Sequence, residues 1–75
     1  MSAFEPGRRV VLTNVPPQLL RGLPEEDQIA IRSIVGRPVL LTGYSYGEAE
    51  IEFVDDDGDG HTIWVKDSFL EASRS

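Results

Sequence analysis

Asp55, Asp57, Asp59 and Gly60 are spaced as the opening of a calcium-binding loop, D-x-D-x-D-G. Hard oxygen ligands at alternate positions of a short loop can wrap a divalent cation. The twelfth position of such a loop should carry a bidentate Glu, and here it is Lys66. The flanking residues alternate like strands and do not repeat like helices. Two readings follow. In one, the run is a solvated hairpin loop in which Asp and Gly supply turn conformations. In the other, Asp55, Asp57 and Asp59 are candidate ligands for a divalent cation that relieves their mutual repulsion. The turn is the expected one, so no metal and no cofactor is assigned.

His61 follows at once and is the only histidine. An imidazole can act as a general base, but no motif marks a Ser nucleophile beside it, and the chain has no Cys. The expectation is a strand-end residue at the mouth of the fold, with no catalytic residue assigned. The chain carries no G-x-G-x-x-G run and no phosphate-binding loop, which leaves nucleotide binding without support. The reading is not an enzyme.

A third group is aromatic. Trp64, Tyr44 and Leu40 fall at strand positions beside Glu48, Glu50 and Glu52. An exposed patch of this composition marks a partner surface, and the expected partner-binding residues are Tyr44, Glu48, Glu50 and Trp64. The competing reading is that the helix or the N-terminal segment packs over the face and buries the indole.

These residues must be held by the elements around them. Ala49, Ile51 and Phe53 alternate with Glu48, Glu50 and Glu52, the period of a half-buried strand. Val39, Leu41 and Gly43 of the preceding strand are expected opposite Phe53, Ile51 and Ala49. That register leaves Ser45-Tyr46-Gly47 as a three-residue hairpin loop with Gly47 in a bulge. Ile63 and Val65 face Ile51 and Ala49 if the Asp-Gly loop has an odd residue count; an even count would invert the strand. Strands are expected at Arg8 to Val15, Val39 to Tyr44, Glu48 to Val54 and His61 to Val65. A turn of 3₁₀ helix at Asp67-Ser68 then leads Phe69 and Leu70 back to the core.

Pro24 to Val35 has the marks of a helix: Pro at the first position, acids in the first turn, and Gly36 and Pro38 beyond the end. Ala30, Ile31, Ile34 and Val35 form its apolar stripe, with Asp27, Gln28 and Arg32 toward water. Ile29 either meets the leucines of the connector, Gln18 to Leu23, or is exposed. Met1 to Glu5 and Ala72 to Ser75 read as tails, leaving an ordered core of about residues 7–71.

A length of 75 residues makes one domain, and one with a small margin of stability. The net charge of −6 argues against nucleic acid, because phosphate binding needs clustered Lys and Arg. It favours a basic partner if the acids do more than keep the chain soluble. No apolar run approaches a membrane span, and the N-terminus lacks the pattern of a signal peptide. The expectation is a cytoplasmic protein.

The segments R-V-V-L-T-N, I-V-G-R-P-V-L-L-T-G-Y and A-E-I-E-F-V resemble small bacterial SH3-like barrel proteins. In those, a V-x-L strand is followed by a G-x-V strand and a y-x-V-E-F strand. The resemblance spans Gly7 to Leu70. It implies a mainly β fold, an SH3-like five-stranded barrel, here with one helix inserted in the first long connection. The A-L-Y-D-Y and P-x-N-Y runs of proline-binding SH3 domains are absent, so that activity does not carry over to Tyr44, Tyr46 or Trp64. The expected function is a protein-interaction or accessory module. The alternatives are a divalent-metal-responsive module using the Asp-Gly loop and an accessory subunit of a larger enzyme.

Overall fold

The computed structural model describes residues 4–73; of the tails expected at Met1 to Glu5 and Ala72 to Ser75, residues 1–3 and 74–75 lie outside the described residues. The order is β1 (Arg9–Leu12), α1 (Pro17–Leu20), α2 (Glu25–Ser33), β2 (Pro38–Ser45), β3 (Glu48–Val54), β4 (Gly60–Val65), a 3₁₀ turn (Asp67–Phe69) and β5 (Leu70–Ala72). The fold is mainly β. All five strands form one antiparallel sheet in the order β4-β3-β2-β1-β5. The sheet is not closed into a barrel: among the described residues β4 pairs only with β3, and β5 only with β1. No described helix is long and apolar enough to cross a membrane.

One face of the sheet carries the core. Val10, Leu12, Val39, Leu41, Ala49, Ile51, Phe53, Ile63, Val65 and Leu70 are buried there, and α2 adds Ala30, Ile31 and, at its end, Ile34. The alternation of β3 and β4 thus sets which side chains leave water. Each large aliphatic side chain so buried stabilises the fold by about 1.5–3 kcal/mol.

Helix α2 is shorter than expected at both ends. Pro24 stands one residue outside it with φ −56° and ψ 152°, and its carbonyl accepts the N–H groups of Asp27 and Gln28 at 3.1 Å each. The helix stops at Ser33. Gly36, at φ +84°, then turns the chain, and its N–H donates to the Leu12 carbonyl at 3.0 Å. That bond fastens the helix end to β1. Val35 is partly exposed, and Ile29, off the stripe, is 57% exposed.

The connector contains a short element of its own. Pro17 opens a single turn of helix, α1, and Leu19, Leu20 and Leu23 pack half-buried against the core. Strand β1 ends at Leu12 and does not reach Val15. Asn14 accepts the Val15 N–H on its own side chain at 2.9 Å, a local turn that competes with the ladder.

The β2–β3 hairpin departs from the expected register beyond Leu41. Leu41 does sit opposite Ile51, but Gly43 faces Glu50, Tyr44 faces Ala49 and Ser45 faces Glu48, with a bulge between Leu41 and Gly43. The extra residue is Thr42, whose hydroxyl donates to Glu50. The loop then shrinks to Tyr46 and Gly47, at φ 51° and 79°. Two successive left-handed residues make the turn whose twist suits a hairpin. The β3–β4 loop is odd, Asp55 to Asp59, and pairs Ile63 with Ile51 and Val65 with Ala49 as expected.

The chain ends are more engaged than tails. Phe4 packs against the core, the Gly7 N–H donates to the Leu41 carbonyl at 2.7 Å, and Ala72 belongs to β5 opposite Val10.

Candidate functional site

The face opposite the core is where Trp64 stands. Glu50 lies directly across from Trp64, Glu52 across from Thr62, and Leu40 across from Glu52. Trp64 is 45% exposed and Leu40 38%. Helix α2 contributes to the core on the other side of the sheet, so it does not cover the indole. Beside Trp64 runs a groove of about 410 Å³, walled by Glu48, Lys66, Phe69 and, from the α1 end of the connector, Pro16 and Leu19. The Glu50 carboxylate is held in place by the Thr42 hydroxyl at 2.7 Å.

Tyr44 is not part of this patch. The bulge at Thr42 turns it to the core side, opposite Ala49, because one added residue exchanges the two faces of a strand. Its hydroxyl donates to Asp67 at 2.8 Å and accepts the Phe4 N–H at 3.3 Å. Burial and the bond to Asp67 push the phenol above its ordinary range. Tyr44 ties the N-terminal segment to the 3₁₀ turn. Of the four expected partner residues, Glu48, Glu50 and Trp64 stay together and Tyr44 leaves them.

The Asp-Gly loop is closed on itself. One oxygen of Asp55 accepts the N–H groups of Asp57 and Asp59 at 2.9 Å each, while the other meets His61 Nε2 at 2.7 Å. The bond to His61, with the two N–H groups, holds the Asp55 carboxyl below its ordinary value. The His61 ring stacks on Phe53, with centroids 5.1 Å apart. Its Nδ1 lies 3.8 Å from Asp27 of α2. His61 thus lies between a loop carboxylate and a helix carboxylate. Asp55 is committed to the loop, and among the described residues no group of three or more His, Asp or Glu side chains converges as a metal site.

Asp27 is the residue that sequence reasoning sent to water. Its position carried a signal: Asp27, Ala30, Ile31 and Ile34 are spaced i, i+3, i+4, i+7, so Asp27 heads the buried stripe. Around it opens a second groove, of about 840 Å³, between the α2 side chains Glu26, Asp27 and Ile29 and the loop.

No protein-family model matches the chain, and neither a curated protein nor a solved structure matches it.

Proposed function

We propose that the protein is a small interaction or accessory module and not an enzyme, and that its partner docks on the outer sheet face around Trp64, with Glu48 and Glu50 at the rim. The observation that carries this is the exposure of the only tryptophan, 45%, on a face that α2 leaves open. An indole supplies contact area at small conformational cost, and flanking carboxylates orient a basic partner. The ordered Glu50 side chain supports the same reading, because a rim group already held in place loses less freedom on binding. The strand order, with a 3₁₀ turn before β5, supports reading the fold as an SH3-like barrel left open at its β4 edge, with α1 and α2 in the first long connection.

The test is the affinity of a partner purified with the wild-type chain. Trp64→Ala weakens binding by roughly thirtyfold, the loss of a hot-spot residue, while the thermal midpoint changes little. Undiminished binding by Trp64→Ala overturns the reading.

A further inference from the structure

We propose that the free edge of β4 accepts an extended, Lys- or Arg-bearing segment of a partner protein as an added strand. This rests on the Trp64 face being the partner surface, and it names what lies against that surface.

The sheet has two edges, and they are unlike. β5 is three residues long, a length that blunts an edge. β4 is six residues long and reads G-H-T-I-W-V, without the Pro or Lys that commonly protect such a strand. Among the described residues its backbone pairs only with β3. An edge of this length presents a row of unpaired N–H and C=O groups, which is the template for strand addition.

Space lies along the same edge. Gly60, His61 and Thr62 line the α2 groove, and Trp64 and Val65 line the α1 groove. The two grooves therefore follow one another down β4. An added strand sends successive side chains to opposite faces. One set would enter the α2 groove, and the other would cross the face of Trp64 and Glu50.

Charge selects the occupant. The α2 groove is lined by Glu26 and Asp27 of the helix and by Asp55, Asp56, Asp57 and Asp59 of the loop, with no Lys or Arg among its lining residues. Ile29, 57% exposed, gives it an apolar contact. A second copy of this chain brings a net charge of −6 and the same acidic loop, so self-pairing along β4 is opposed by repulsion. A segment mixing basic and apolar residues fits both.

The experiment titrates the ¹⁵N-labelled chain with an acetylated, amidated peptide alternating Lys and Val, and follows two signals. The first is amide hydrogen exchange along Gly60–Val65; the second is the Trp64 indole resonance. The expected result is new protection at those β4 amides that exchange freely without peptide, together with a shift of the indole. Raising the salt to several hundred millimolar weakens binding roughly tenfold, and so does the pair Asp57→Asn with Asp59→Asn. These two replacements leave the Asp55 bonds to the loop backbone and to His61 in place. An indole shift without new β4 protection overturns strand addition and leaves the Trp64 surface standing. If the saturating peptide moves neither signal, both are overturned. Protection of β4 that grows with protein concentration in the absence of peptide makes the occupant a second copy and overturns the basic segment.

Discussion

Glu50 and Trp64 face each other across the β3–β4 ladder, and the Glu50 carboxylate is anchored on its far side by the Thr42 hydroxyl at 2.7 Å. The bulge residue of one strand therefore positions a carboxylate beside an indole two strands away. Thr42→Val removes that anchor and the second bond to the Glu50 carbonyl. The expected cost is about 1 kcal/mol in urea denaturation. No loss of stability would mean that the bulge forms without the hydroxyl.

The division of the sheet into two faces predicts unequal mutational costs. Ile51 is fully buried and Glu52, its neighbour in β3, is exposed. Ile51→Ala should cost on the order of 2–5 kcal/mol, a large part of the stability of so small a domain. Glu52→Gln should stay within about 0.5 kcal/mol. Equal costs in the two denaturation curves would contradict the register.

Asp55 predicts an acid limb of stability. Its ordinary value is 3.8, and the bonds to His61 and to the Asp57 and Asp59 N–H groups hold it lower in the folded chain. The unfolded chain therefore takes up this proton first as pH falls. The stability that Asp55 supplies is complete above its ordinary value and is lost as pH drops through the lower folded value. Calorimetric midpoints should fall more steeply for the wild type than for Asp55→Asn below about pH 4. Parallel curves would show that the loop bonds add nothing.

Tyr44→Phe keeps the ring and deletes two bonds, one to Asp67 and one to the Phe4 N–H. A loss of about 1–2 kcal/mol is expected, together with faster hydrogen exchange at the Phe4 amide. In the wild type the phenol is held above 10.0. Its contribution is present below that value and is lost as pH rises through the folded one. An unchanged Phe4 exchange rate would separate the N-terminal segment from Tyr44.

Much of the sheet was legible in the sequence, and the reasons are local. The glutamates of β3 alternate with Ala49, Ile51 and Phe53, and burying Ile63 and Val65 admits only an odd loop after Val54. The bulge at Thr42 was not legible, because a three-residue loop and a two-residue loop with a bulge use the same number of residues between Leu41 and Ile51. That ambiguity misplaced Tyr44. The short helix at Pro17 was hidden by its length, since four residues carry no periodicity. The His61 cluster joins a β4 residue to Asp27, 34 positions earlier; local pattern places Asp27 on the buried stripe but does not say what it meets.

Trp64 is the only tryptophan, so its fluorescence reports the outer face alone, and it tests the central claim most directly. In the free protein the emission should lie close to that of tryptophan in water and be quenched by acrylamide, in keeping with its 45% exposure. Bound partner should shift the emission to the blue and suppress the quenching. A blue-shifted indole, protected from acrylamide before any partner is added, would mean that the face is covered in the free protein and would contradict the account.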